Sequence, residues 1–145
     1  MRVIDSSALV KYFSREADWR AVERVLLEGV LTMDLAVKEV ASALRKKVLR
    51  GEMSYEVAVE IIKDIVEGRP FPVEPQGPYL VDAFEIAVRN NTTVYDALFI
   101  AMARRKGLEL VTCDEWQAEI ARKLGLKTIL ISSQGGEDQS EAEGV

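Results

Sequence analysis

The feature that most constrains this chain is an alternation of two patterns. Short apolar runs of strand length, at residues 1–4, 30–33, 71–74, 108–112 and 127–131, are separated by longer segments. In those segments apolar residues recur at helical spacing, as with Val22, Val25, Leu26 and Leu27, or Val57, Ala58, Ile61, Ile62 and Ile65. Helices are expected over 6–14, 17–28, 35–49, the stretch after Ser54, 79–89, 95–106 and 115–124. Asp34 and Ser54 stand where N-caps are wanted, and Gly29, Gly107 and Gly125 where helices stop. All four prolines fall between Pro70 and Pro78, which limits residues 71–74 to an edge strand or a loop. Strands that alternate with helices imply a parallel sheet covered on both faces. No repeat and no second domain interrupts the pattern, so residues 1–132 read as one domain. Residues 133–145 are rich in glycine and acid, have little to bury, and are expected to be disordered.

Composition removes several chemistries. The 145 residues include no histidine and a single cysteine, Cys113. Serine–histidine and cysteine–histidine catalysis, histidine metal ligation, an intrachain disulfide and a cysteine zinc site are all excluded by count. Hydrolytic chemistry here must use carboxylates, hydroxyls, lysines or a metal held by oxygen. The net charge of −5 is partly local, because Glu137, Asp138, Glu141 and Glu143 lie in the last segment; the remainder carries 19 basic and 20 acidic side chains. No stretch has the length and apolarity of a membrane span. Residues 1–13 lack the pattern of a signal peptide, so no membrane role is expected and the expected compartment is the cytoplasm.

The acids fall in telling places. Asp5 ends the first apolar run and Asp114 follows the run 108–112, the sheet edge where open α/β folds bind ligands. Asp96 lies in the first turn of a segment that is apolar all round, from Ala97 to Ala103. Such a helix is buried, and a carboxylate at its mouth needs a partner. Glu39 stands in mid-helix among small residues, with Ala43 one turn on and Lys46 two turns on along the same face. Each acid also has a plainer reading. Asp5 and Asp114 could cap the helices that follow them, Thr93 and Asp96 have capping-box spacing, and Glu39 could be an exposed helix residue. Capping does not account for Glu39, nor for the hydroxyls beside both strand-end acids: Ser6 and Ser7 after Asp5, Thr112 before Asp114.

Four segments carry a resemblance. Val3-Ile4-Asp5-Ser6-Ser7-Ala8-Leu9-Val10, Glu39-Val40-Ala41-Ser42-Ala43-Leu44-Arg45, Val94-Tyr95-Asp96-Ala97-Leu98-Phe99-Ile100-Ala101-Met102-Ala103 and Leu110-Val111-Thr112-Cys113-Asp114-Glu115 resemble the four acid-bearing segments of the PIN-domain family. More narrowly, they are similar to those of VapC-like ribonuclease toxins of prokaryotic toxin–antitoxin pairs. Order and spacing fit from residue 1 to about 132. The resemblance implies a three-layer α/β/α fold with a five-stranded parallel sheet, a Mg²⁺ or Mn²⁺ site, endonuclease cleavage of RNA, a homodimer and a small antitoxin partner. Cys113 departs from the pattern, since small residues are commoner there, and the acidic tail lies outside it.

On that reading Asp5, Glu39, Asp96 and Asp114 are the catalytic and metal-binding acids. Mg²⁺ and Mn²⁺ prefer oxygen ligands, and clustered carboxylates repel one another without a cation. Asp5 and Asp96 are expected as direct ligands. Glu39 and Asp114 would act through water, position the nucleophile or hold a second ion. Ser7 and Thr112 would orient the carboxylates, and Glu115 would either extend the site or only begin its helix. Lys11, Arg45 and Lys46 are the candidates for holding RNA, with Arg104 and Arg105 behind them. Tyr12, Tyr95 and Trp116 could stack bases, although core packing is the first expectation for Tyr95 and Trp116. A catalytically silent RNA- or protein-binding module is the alternative. A phosphatase using an aspartate nucleophile would want a second aspartate where Ser7 stands, and a phosphotransfer receiver would want paired acids beside Asp5.

Overall fold

The computed structural model describes residues 1–132, and the acidic segment expected to be disordered lies outside the described residues. Five strands form one parallel sheet: β1 (Arg2–Ile4), β2 (Val30–Met33), β3 (Val73–Glu74), β4 (Leu110–Thr112) and β5 (Thr128–Leu130), in the order β3-β2-β1-β4-β5. Val3 pairs with Leu31 on one side and Leu110 on the other. Val3 and Ile4 are fully buried, as are all four residues of β2. This is what a parallel strand covered on both faces requires, and it explains why these runs are continuously apolar.

Seven helices connect the strands: α1 (Ser6–Phe13), α2 (Trp19–Glu28), α3 (Asp34–Leu49), α4 (Tyr55–Gly68), α5 (Leu80–Asn90), α6 (Val94–Lys106) and α7 (Glu115–Lys123). With the sheet they make the expected three-layer α/β/α arrangement. α6 is the central helix. Residues Ala97, Leu98, Phe99, Ile100, Ala101, Met102 and Ala103 are all buried, so its apolar girth is accounted for by packing on every side.

Several boundaries differ from the sequence reading, each for a visible reason. α2 begins at Trp19 rather than residue 17, because Asp18 takes a left-handed conformation and the Ala17 carbonyl is held by the Lys11 ammonium at 2.8 Å. Asp34 is the first residue of α3 rather than its cap. Its carboxylate instead accepts the Gln76 N–H at 3.2 Å, tying the start of α3 to the proline-rich loop. Leu108 is not in β4. Its N–H bonds the Ala103 carbonyl and closes the turn around Gly107, whose φ of +67° ends α6. Residues Gly77–Tyr79 form a 3-10 turn before α5.

The strand order fixes where a site can form. The chain runs from β1 outward through β2 to β3, then crosses back to β4 on the other side of β1. The gap between the carboxyl ends of β1 and β4 is therefore the topological switch point, the crevice that open α/β sheets use for ligands. Asp5 and Asp114 follow those two ends.

Candidate active site

Asp5 is 3% exposed. Its Oδ1 accepts the Ala8 N–H at 3.1 Å, capping α1, and the Ser7 hydroxyl at 2.7 Å. Its Oδ2 accepts the Thr112 hydroxyl in a short hydrogen bond. The Ser7 and Thr112 oxygens are 3.3 Å apart, but both hydroxyl hydrogens are already directed at Asp5. The same two oxygens accept backbone N–H groups, Ser7 from Cys113 at 2.9 Å and Thr112 from Asp114 at 3.0 Å. The two hydroxyls thus clamp the end of β1 to the end of β4 and aim the Asp5 carboxylate. Burial pushes the Asp5 carboxyl up to about 6. The Thr112, Ser7 and Ala8 hydrogen bonds pull against that shift and the Asp114 charge adds to it.

Asp114 caps α7 through the Gln117 N–H at 3.0 Å. Thr93 caps α6 through the Asp96 N–H at 3.1 Å, which leaves the Asp96 carboxylate at the mouth of the buried helix. The Asp96 carboxyl is raised, first by burial and then by the charge of Asp114. Glu39, on α3, is half-buried, and its Oε1 accepts the Ser6 hydroxyl at 2.7 Å. Its carboxyl is also raised by burial and by the charge of Asp96, while Ser6 opposes the shift. The charge of Asp114 thus bears on Asp5 and Asp96, and that of Asp96 on Glu39, although these acids come from α3, α6 and the ends of β4 and β1. The capping roles of Asp5 and Asp114 are real, and they coexist with this cluster because a carboxylate has two oxygens and capping engages one.

Among the described residues, no three carboxylates are drawn into a closed metal cage. Mg²⁺ needs only one or two carboxylates beside waters. The donor set is all oxygen, with Asp5 Oδ2 bearing a single hydrogen bond and Asp114 capping through Oδ1 alone. That set suits a hard divalent cation.

A model of the PIN domain matches residues 2–123. The chain belongs to the PIN-domain family. It is similar to Ribonuclease VapC3 of Pyrobaculum aerophilum, 32% identical over 120 residues that cover 81% of this chain and 92% of the relative. It is also similar to Ribonuclease VapC1 of Mycobacterium tuberculosis, 31% identical over 117 residues covering 77% and 84%. Among solved structures, Mycobacterium tuberculosis VapC20, described as a sarcin-ricin loop cleaving toxin, superposes with a TM-score of 0.68 at 18% identity, covering 87% of this chain and 96% of that one. A Pyrobaculum aerophilum protein superposes at 0.69 with 23% identity, covering 88% and 89%. This is a VapC-like PIN domain.

Within this PIN domain the basic residues sort differently from the sequence reading. Lys11 is not at the surface. It is 1% exposed, and its ammonium holds the Ala17 carbonyl, so it is withdrawn as a contact for RNA. Arg45 and Lys46 diverge, because neighbours on a helix point about 100° apart. Lys46 lines a groove with Glu39, Ser42, Ala43, Lys47 and Arg50. Arg45 instead borders an apolar cleft between α3 and α4, beside Leu44, Val48 and Tyr55. Tyr95 and Trp116, first expected to pack in the core, are 60% and 46% exposed. Glu115 is exposed at the start of α7.

From sequence, Ser6 stood out only as a hydroxyl beside Asp5, and Arg50 was not named. Ser6 orients Glu39, a contact 33 residues distant, and Arg50 completes the basic side of the groove. For Arg50 a signal existed, since Lys46 and Arg50 are one turn apart. Cys113, the departure from the family pattern, is chemically quiet: burial and the Asp5 charge push its thiol up to about 12.

Proposed function

We propose that this PIN domain is a Mg²⁺- or Mn²⁺-dependent endoribonuclease that hydrolyses RNA phosphodiester bonds as the toxin of a toxin–antitoxin pair. The observation that carries the reading is the placement of Asp5 and Asp114 at the switch point of the sheet, joined through Thr112, with the charge of Asp114 also reaching Asp96. The VapC ribonucleases it resembles support the RNA substrate and the toxin role.

Asp5 and Asp96 would hold the cation, with Asp114 completing the site directly or through water. Such an ion would supply charge neutralisation at the phosphate and activation of water there. Ser7 and Thr112 fix the Asp5 oxygens so that they need not reorganise on binding. Glu39 is held through Oε1 by Ser6, which leaves Oε2 to orient the attacking water and take its proton. Its raised carboxyl makes it a better base than an exposed glutamate. Lys46 and Arg50, in the groove that opens at Glu39, would track the phosphate backbone.

A small antitoxin protein would be the partner, and the protein would act in the cytoplasm. A homodimer would cover Val81, Phe84 and Val88, which α5 leaves exposed on one face. No helix among the described residues is long and apolar enough to cross a membrane.

The deciding experiment is an endonuclease assay on structured and unstructured RNAs with Mn²⁺, Mg²⁺ or EDTA. Metal supports cleavage, EDTA stops it and Asp96→Asn abolishes it. Unchanged cleavage by Asp96→Asn rules out the site, and no cleavage under any condition leaves a binding module.

A further inference from the structure

Two large exposed aromatic side chains stand close in sequence to two of the acids, in the first turns of α7 and α6, and outside the hydrophobic core. Trp116 is two residues beyond Asp114, in the first turn of α7, and Tyr95 is the immediate neighbour of Asp96, in the first turn of α6. They are 46% and 60% exposed and belong to no part of the hydrophobic core. The indole N–H of Trp116 donates to the Asn91 carbonyl at 3.3 Å. Asn91 is in the turn between α5 and α6, which reaches Asp96 five residues later. This hydrogen bond ties the first turn of α7 to the turn that leads into α6, and it orients the indole.

Another aromatic pair in the molecule shows the contrast. Tyr12 and Trp19 meet edge to face with centroids 6.0 Å apart, and Phe13 stands at 5.0 Å from Tyr12. The Arg15 guanidinium lies over both rings, at 5.0 Å from Tyr12 and 4.0 Å from Trp19, and Arg20 lies 4.4 Å from Trp19. The faces of those rings are already engaged by cations. No ring contact or cation engages Trp116 or Tyr95 among the described residues.

Resting on the nuclease reading above, we infer that Trp116, in the first turn of the helix that Asp114 caps, is a base-stacking platform that selects unpaired nucleotides next to the scissile phosphate. Every base has an apolar face, and an exposed, oriented aromatic ring binds it without regard to sequence. A base inside a duplex has both faces covered by its neighbours, so the platform serves only single-stranded or splayed RNA. The backbone would then meet Lys46 and Arg50 in the groove at Glu39. The base side and the phosphate side of the substrate are thus divided between α6–α7 and α3.

The test is a binding experiment on full-length Asp96→Asn protein, so that the substrate survives. Fluorescence anisotropy would follow a short labelled single-stranded RNA, a set of copies each with one abasic position, and a blunt duplex. The intact strand binds, and one abasic position weakens binding about tenfold, the loss expected for one base–aromatic stack. Adding Trp116→Ala costs the same factor on intact RNA, erases the penalty at that position and leaves duplex binding unchanged. Trp116→Phe, which keeps a ring but lacks the N–H to Asn91, restores most of the affinity. Trp116→Ala binding as tightly as its parent, or an abasic penalty that survives it at every position, overturns the platform while the nuclease stands. Failure of the parent to bind any RNA overturns the nuclease reading and the platform with it.

Discussion

Thr112 gives its hydroxyl hydrogen to Asp5 and receives the backbone N–H of Asp114 on the same oxygen. One buried side chain thus joins two acids that are 109 positions apart in sequence and lie at the ends of neighbouring strands. The relation explains why a threonine, and not merely a β-branched residue, suits the end of β4: valine would fill the space and take the hydrogen bond from Asp5 Oδ2 and from the Asp114 N–H.

Thr112→Val therefore separates shape from hydrogen bonding. Leaving a buried carboxylate and a buried N–H each short of a bond costs about 2 kcal/mol. Urea unfolding at neutral pH in EDTA should show a loss of that size for Thr112→Val and a smaller one for Thr112→Ser. A valine variant as stable as the parent would show that the clamp contributes nothing.

Asp5 makes stability depend on pH in an uncommon direction. Its folded carboxyl stands at about 6, above its ordinary 3.8. Between those values the folded protein keeps a proton that the unfolded chain has released, so stability falls as pH rises through the window. The full effect is about 3 kcal/mol. Glu39 and Asp96 are raised too and act in the same direction. In EDTA the urea midpoint is expected to be higher at pH 5 than at pH 7.5, with a shallower fall in Asp5→Asn. Adding Mn²⁺ at pH 7.5 should recover the loss by relieving the repulsion. A midpoint that rises from pH 5 to 7.5 equally in both proteins would show that the Asp5 carboxylate is not under strain.

Ser6 is expected to act on the reaction through Glu39. Its hydrogen bond opposes the rise in the Glu39 carboxyl, so Ser6→Ala lets that carboxyl climb further. The acid limb of the cleavage rate against pH should move to higher pH, with a lower rate on that limb. Ser6→Thr, which retains a hydroxyl, should keep the parental profile. A limb unmoved by Ser6→Ala would remove Glu39 from proton transfer.

The basic residues give opposed expectations. Lys46→Ala should weaken RNA binding and reduce the slope of log affinity against log salt by about 1, since one phosphate contact is lost. Arg45→Ala should leave the slope unchanged, because Arg45 borders the α3–α4 cleft. Lys11→Met should also leave it unchanged while lowering stability by about 1 kcal/mol through the lost bond to Ala17. Equal salt slopes for Lys46→Ala and Arg45→Ala would contradict the division of the two faces.

The site was legible from sequence to the extent that its parts are local. Asp5 and Asp114 could be placed because a strand's apolar run marks its own end, and Asp96 because the all-apolar segment after it announces a buried helix. Glu39 stood out as the acid with no capping role, and the structure ties it to Ser6. Near misses at boundaries arose where a distant or neighbouring group captured a local signal: Asp34 looks like a cap and bonds Gln76 instead.

By itself, then, the sequence determined the alternation of strands and helices, the sheet edge that carries the acids, and the absence of histidine chemistry. Periodicity, capping and composition act over a few residues, so they can be read along the chain. Tertiary structure alone decided that Lys11 is buried and that Tyr95 and Trp116 are exposed. It alone decided that Arg45 borders the α3–α4 cleft, and that Asp114 lies near enough for its charge to bear on Asp5 and Asp96. Whether a side chain meets water, a partner or a like charge depends on which element packs across from it. That element is brought there by the sheet order, from a part of the chain that no local pattern can see.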